Sequence, residues 1–260
     1  MGPIESLALK LVLTPLLIGG ASLAARRWGS EVGGWLVGVP FTSAPVTFFL
    51  AIGPGLHFAA QTAVGTLAGT ISQAAFVLAY VWLARRWPWW VCLGAATIAF
   101  AAATVLLLGL NATALVAFVA AVAVLAMALA LMPRRSGAAL SSGELPRWDL
   151  PARMLVGTAL VVALTAAAPL LGARLAGLIF PYPLYATVLA VFSHHLQGPE
   201  SAVGVLRGLL LGLFGFAGFF LTIALLLEDS GIAIAFGAAI LVALAVQAMS
   251  LFAGRRLALA

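Results

Sequence analysis

Histidine, carboxylate and guanidinium side chains stand close together after residue 193 of this sequence. His194 and His195 are followed by Glu200, and Arg207 comes two helical turns later. Histidine changes its charge near neutral pH, and a charged group in apolar surroundings needs a partner. These residue types predict proton exchange or an ion pair that opens and closes. The matching stretch in the first half of the chain, after residues 53–55, holds His57 and Gln61. The full set of candidates is His57, Gln61, His194, His195, Glu200 and Arg207.

The same residues have a simpler interpretation. His194, His195 and Glu200 would then lie in a solvated loop, and Arg207 would only anchor the end of a helix. The sequence leaves both interpretations open.

Two apolar segments are interrupted by pairs of prolines. A proline inside a helix removes a backbone hydrogen bond and clashes with the preceding turn, so we expect each segment to be kinked or unwound there. Backbone groups freed in this way, together with nearby hydroxyls, form the expected solute site. The alternative is that the prolines serve packing and that each hydroxyl bonds back to the i−4 carbonyl. The residues at the two interruptions are Pro40, Thr42, Ser43, Pro45 and Thr47, and Pro181, Tyr182, Pro183 and Tyr185.

A polar stripe completes the expected solute site. Thr66, Thr70 and Gln73 fall at positions i, i+4 and i+7 of an apolar segment, which places them on one face of a helix. A polar face on a buried membrane helix is typical of a hydrophilic pathway.

Other kinds of chemistry are not predicted. The two adjacent histidines and Glu200 lack the spacing of a zinc motif, and the single Cys92 is far away in sequence. The sequence contains no Gly-rich nucleotide loop, nucleophile elbow or catalytic pair of carboxylates. We therefore expect no enzyme activity, no metal and no cofactor.

The composition predicts the elements that position these residues. Hydrophobic residues make up 64% of the chain and charged residues 8%, whereas a soluble domain carries about a quarter charged residues. Because about 20 apolar residues cross a bilayer, we predict an all-α integral membrane protein with nine transmembrane helices. The apolar segments lie at 7–25, 33–52, 60–84, 89–109, 112–132, 152–171, 174–193, 203–227 and 231–253.

Positive charge marks alternate ends of these segments. If the N-terminus is outside, eleven of the thirteen Lys and Arg residues fall on the cytoplasmic side, and only Lys10 and Arg174 do not. The net charge of +6 is thus explained by membrane orientation rather than by nucleic acid. We predict a bacterial inner-membrane protein with its C-terminus in the cytoplasm.

The two halves of the chain repeat each other. A shift of 143 residues pairs residues 24–108 with 167–251 without a gap, and six glycine pairs coincide where about one is expected by chance. Each copy holds four segments and a fifth lies between them, so the copies have opposite orientations. We predict repeat 1 at 1–110, a linking span at 111–133, a cytoplasmic loop at 134–151 and repeat 2 at 152–260.

Inverted repeats with paired interruptions are typical of secondary transporters. We expect alternating-access transport of a small polar or amphiphilic solute through the bilayer, with proton coupling left open. The rivals are a channel, a lipid or glycolipid flippase, and an accessory membrane subunit of an envelope-biosynthesis complex. Small-residue faces at Gly65 and Gly69 and at Gly204, Gly208 and Gly212 let helices approach closely, within the chain or in a homodimer.

One stretch of the second repeat resembles a known family. Its residues are Gly177-Leu178-Ile179, Tyr182-Pro183-Leu184-Tyr185-Ala186, His195, Gly198-Pro199-Glu200 and Leu206-Arg207. They resemble the small four-span bacterial inner-membrane proteins of the GlpM type. The resemblance implies a four-span unit with a loose link to exopolysaccharide production, and this chain would be two such units joined by an extra span. It implies no catalytic residue.

Overall fold

The described part of the chain is helical and contains no strand. The computed structural model describes residues 3–40, 43–109, 112–133, 145–163 and 181–259, and their side chains over 11–40, 43–109, 112–133, 145–163 and 181–250. Thr42, most of the predicted loop at 134–151 and parts of the two segments at 152–171 and 174–193 lie outside this range. The predicted all-α class is confirmed for the described residues.

Nine helices follow one another in the described residues. They are α1 (Pro3–Trp28), α2 (Ser30–Val37), α3 (Ser43–Ile52), α4 (Leu56–Leu83), α5 (Trp89–Leu107), α6 (Ala114–Leu131), α7 (149–163), α8 (Leu184–Gln197) and α9 (Pro199–Leu259).

Four of the described helices are long and apolar enough to cross a membrane. They are α4, α5, α6 and the part of α9 from Pro199 to Ser250. The 61 residues of α9 would extend about 90 Å at 1.5 Å per residue, which is far more than one crossing. Gly231 divides it, because its φ of 76° is a left-handed conformation that costs glycine little. We call residues 199–230 the first arm and residues 232–259 the second arm.

The core lies where α4 meets the first arm of α9. Phe76 and Tyr80 of α4, and Phe219 and Phe220 of the first arm, are at most 1% exposed. By contrast, only 17% of α5 and 22% of α6 is buried. These two outer helices carry large exposed apolar side chains such as Leu106, which is 78% exposed. Such a surface suits a lipid environment rather than water.

Helix α2 packs on the first arm of α9 through glycine. A Cβ added at Gly208 would overlap the carbonyl oxygen of Glu31, and one at Gly34 would overlap the carbonyl oxygen of Val205. A Cβ added at Gly38 would lie 2.6 Å from the Cα of Gly212. Glycine at these positions therefore allows the two backbones to touch.

Candidate functional site

The first proline interruption separates α2 from α3. Helix α2 ends at Val37, residues 38–40 are not helical, and α3 begins at Ser43. Pro40 is buried, whereas Pro45 lies in the first turn of α3, where a proline costs no hydrogen bond. The predicted interruption of this segment is confirmed, and Thr42 lies outside the described residues.

The second proline pair lies directly before α8; we call residues 181–183 the second interruption, and residues 164–180 before it lie outside the described residues. Residues 181–183 are not helical, and Pro183 is the residue before Leu184. The side chain of Gln73 on α4 donates a hydrogen bond of 2.8 Å from its Nε2 to the carbonyl oxygen of Pro181. This amide therefore satisfies a backbone carbonyl next to the interruption, which would be costly to leave bare in apolar surroundings.

Two tyrosines attach the second interruption to the rest of the bundle. Tyr182 shares a hydrogen bond of 3.0 Å with Thr97 of α5, and Tyr185 shares one of 3.2 Å with Thr14 of α1. The Tyr182 ring lies edge-on to Phe76 at 5.6 Å and to Phe100 at 5.4 Å. Residues from α1, α4 and α5 thus meet at this one place.

A second glutamine lies beside the first interruption. Gln247, on the second arm of α9, is 2% exposed and donates a long hydrogen bond of 3.5 Å to the carbonyl oxygen of Trp35. The Trp35 ring in turn donates to Ser250 at 3.2 Å. Gln73 therefore contacts the second interruption itself, whereas Gln247 contacts the last turn of α2 just before the first interruption.

The threonine hydroxyls follow the simpler of the two interpretations. Thr47 donates to the carbonyl of Ser43, Thr66 to that of Thr62, and Thr70 to that of Thr66. Each of these is an i−4 bond inside its own helix. Of the polar stripe on α4, only Gln73 reaches an interruption in the described residues.

Charged residues collect at one end of α4. Arg85 holds Glu200 with two hydrogen bonds of 2.7 and 3.3 Å, and the hydrogen bond with Glu200 raises the pKa of Arg85. His194 shares a hydrogen bond of 3.1 Å with Tyr80, and His195 lies edge-on to Trp89 at 6.5 Å. His194, His195 and Glu200 therefore contact partners on other elements rather than lying free in a loop.

The opposite end of α4 has its own ion contact. His57 Nδ1 lies 3.2 Å from Glu228 Oε1 on the first arm of α9. Gln61, one turn further along α4, is exposed. Arg207 is partly buried, and no described acidic side chain forms an ion pair with it. The six candidates thus divide between two ends of the bundle, and Arg207 contacts neither ion pair.

A buried ion cluster escaped the sequence analysis. Asp149 is 0% exposed and binds Arg26 at 2.8 Å through one oxygen and Arg153 at 2.7 Å through the other. Arg153 is 3% exposed and also lies within 3.4 Å of Ser193 on α8. The i, i+4 spacing of Asp149 and Arg153 is a signal in the sequence, but the predicted loop at 134–151 ends between them and assigns only Arg153 to a helical segment.

The contact between Gln73 and Pro181 leads to a first prediction. Replacing Gln73 with leucine is expected to lower the stability by about 1 to 3 kcal/mol, because the carbonyl of Pro181 loses its donor. Heating in detergent, followed by size-exclusion chromatography, measures the loss.

Gln61→Leu is the matched control, because it makes the same change on an exposed side chain of the same helix. Equal thermal shifts for the two variants would show that the contact with Pro181 contributes nothing.

Comparison with protein families, with curated proteins and with solved structures finds no match to this chain. The resemblance to the GlpM type therefore stays a prediction. Residues 177–179 of its motif lie outside the described residues.

Proposed function

We propose that this protein is a secondary transporter that moves a small polar or amphiphilic solute by alternating access between two inverted repeats. The observation that carries the proposal is a reciprocity between the two ion pairs. A shift of 143 residues takes His57 to Glu200 and Arg85 to Glu228. In the fold, His57 pairs with Glu228 and Glu200 pairs with Arg85. Exchanging the two copies therefore turns one ion pair into the other.

A second pair of contacts is reciprocal in the same way. The shift takes Gly38 to Pro181 and Gly69 to Gly212. Gly38 lies against Gly212, and a Cβ added at Gly69 would lie 2.7 Å from Cβ of Pro181. The same shift of 143 residues thus relates the contacts at the ends of the bundle and those at the interruptions. This agreement supports a two-fold relation between the copies.

The helix starts agree with the same shift. Helix α4 begins at Leu56 and α9 at Pro199, and the preceding residues, Gly55 and Gly198, have φ/ψ of 115°/169° and 93°/173°. These are nearly the same conformation, and it is one that favours glycine. Such agreement supports a common origin of the two units.

The two ion pairs lie too far apart to act as one site. Helix α4 has 28 residues and extends about 42 Å, whereas the hydrocarbon core is about 30 Å thick. We therefore place one pair at each membrane surface, with the interruptions between them. In the alternating mechanism, each ion pair closes the entrance at its own membrane surface. The conformation in which both ion pairs are formed is therefore closed to both sides of the membrane.

The orientation belongs to the same proposal. With the N-terminus outside, the Arg85 pair faces the cytoplasm of a bacterial cell and the His57 pair faces outward. A homodimer remains a prediction as well. The Gly204–Gly212 face is covered by α2 within the chain, whereas Gly65 and Gly94 have nothing within 4 Å of an added Cβ.

Charge reversal at each entrance tests the mechanism. In a Cys92→Ala background, Thr66→Cys provides a buried reporter between the two ends. Glu228→Arg places a positive charge opposite His57. We expect it to raise the labelling of Thr66→Cys by a membrane-impermeant maleimide added on the His57 side, and to lower the labelling when the maleimide is added on the Arg85 side. Glu200→Arg, which opposes Arg85, is expected to have the inverse effect. Right-side-out and inside-out vesicles give the two measurements.

Asp229→Arg is the control, because it reverses a neighbouring exposed charge. A channel predicts that opening one end leaves labelling from the other end unchanged, and an accessory subunit predicts no labelling from either side. Either result would refute alternating access.

The His57 entrance also carries the proposed link to protons, because histidine is the side chain that exchanges protons near neutral pH. His57 Nδ1 lies 3.2 Å from Glu228, whereas the other entrance pairs Glu200 with Arg85.

A further inference from the structure

An apolar groove runs along α1 and ends at the second interruption. Its cavity has a volume of about 260 Å³. Gly20, Ala24 and Trp28 of α1 line it together with Leu36 and Tyr185. Tyr185 marks its inner end, because its hydroxyl shares a hydrogen bond with Thr14, which comes just before the lining residues of α1. A Cβ added at Gly20 would meet nothing within 4 Å.

The length of the groove matches one leaflet of a bilayer. From Leu16 to Trp28 the helix rises about 18 Å, and half of the hydrocarbon core is about 15 Å. The groove therefore accommodates one extended acyl chain from the membrane surface to the midplane. Residues 16, 20, 24 and 27 share a face of α1 by helical spacing, so Arg27 lies at the outer end of the same face.

The outer end of the groove carries one exposed positive charge, Arg27. Helical spacing turns Arg26, which binds Asp149 at 2.8 Å, about 120° to 160° away from Gly20 and Ala24, so that Arg27 is the guanidinium on the groove side of α1. Arg27 lies over the Trp28 ring, 5.7 Å from its centroid. Glu31 on α2 is turned about 120° to 140° away from the groove residues Leu36 and Val37 by helical spacing.

We propose that this groove binds an anionic lipid, with one acyl chain along Gly20 and Ala24 and the acidic headgroup at Arg27. The charge at the outer end selects the headgroup, and the small side chains admit the chain. The end of the chain then lies at Tyr185, directly beside the second interruption. This inference rests on the proposed transport function, for which it names an amphiphilic anion as the substrate class.

Lipid binding to the delipidated, full-length protein tests the inference. Native mass spectrometry is used to compare dioleoyl phosphatidylglycerol with dioleoyl phosphatidylcholine, which has the same chains and no net charge. We expect the anionic lipid to bind roughly tenfold more tightly. Arg27→Gln is expected to reduce that affinity about fivefold and to leave the binding of phosphatidylcholine unchanged.

Gly20→Leu tests the position of the chain, because it adds a side chain to the groove at a position where a Cβ meets no neighbour. We expect it to reduce the binding of both lipids about tenfold. Gly94→Leu is its control, since Gly94 is also an exposed helical glycine with open space around it. Arg86→Gln is the control for Arg27, because Arg86 is an exposed arginine at the end of α4.

Equal binding of the two lipids to the unmodified protein would overturn the assignment of the headgroup. Equal effects of Gly20→Leu and Gly94→Leu would overturn the position of the chain. The lipid-binding measurement is made at equilibrium and does not require the protein to transport anything. The labelling of Thr66→Cys does not require added lipid. The two tests can therefore fail independently of each other.

Discussion

Replacing Asp149 with asparagine is expected to destabilise this protein more than any other single loss of charge. Asp149 is 0% exposed and is the counterion of both Arg26 and Arg153. Without it, the guanidinium of Arg153 stays buried at 3% exposure with no acidic partner among the described residues. Removing one partner of a buried ion pair costs about 3 to 5 kcal/mol.

The expected loss is measured as the temperature at which the purified protein ceases to elute as a single species after heating. Glu200→Gln is the comparison, because it also removes a carboxylate that binds arginine. The Arg85 and Glu200 side chains are 37% and 17% exposed, and solvent screening reduces the value of such a pair to about 0 to 1 kcal/mol. If both variants lost the same stability, burial of Asp149 would not be the cause.

Replacing Gly208 with leucine is expected to separate α2 from α9. Its added Cβ would occupy the space of the Glu31 carbonyl oxygen, and a backbone atom cannot move aside as a side-chain end can. Inserting atoms into a close-packed contact costs about 1 to 3 kcal/mol. We expect the upper end of this range, because both contacting groups belong to helix backbones.

Gly65→Leu provides a control at the corresponding position of the other copy. Gly65 becomes Gly208 under the shift of 143 residues, but nothing lies within 4 Å of its added Cβ. Leucine there is expected to be neutral or stabilising by up to about 1 kcal/mol, because glycine weakens a helix interior. The same heating assay compares the two variants, and a similar loss in both would argue against the close contact with α2.

Much of the local structure could be predicted from the sequence. Composition predicts the helices, and the prolines predict the break in the segment at 33–52, since proline acts on its own turn. In the segment at 174–193, the described residues show that α8 begins directly after Pro183. The helices and this break are predictable because each depends on residues close together in the chain. The repeat aligns His57 with Glu200 and Arg85 with Glu228, but the alignment does not show which residues pair.

The hydrogen-bond partners of the polar stripe on α4 could not be predicted from the sequence. Gln73 bonds to Pro181 across 108 residues, while Thr66 and Thr70 on the same face bond only within α4. Spacing shows that the three share a face, but not which of them meets an interruption. That depends on how α4 and α8 cross, which is a property of packing between distant segments.

By itself, the sequence determined the all-helical class of the described residues, the proline break between α2 and α3, and two of the residues that form the ion contacts, His57 and Glu200. These features follow from local backbone chemistry and from the pattern of apolar residues. Only the tertiary structure decided that His57 pairs with Glu228 and Arg85 with Glu200, and that Asp149 is buried between two arginines. Hydrogen bonds and ion pairs act over a few ångströms, so they form only after packing has brought distant helices into contact.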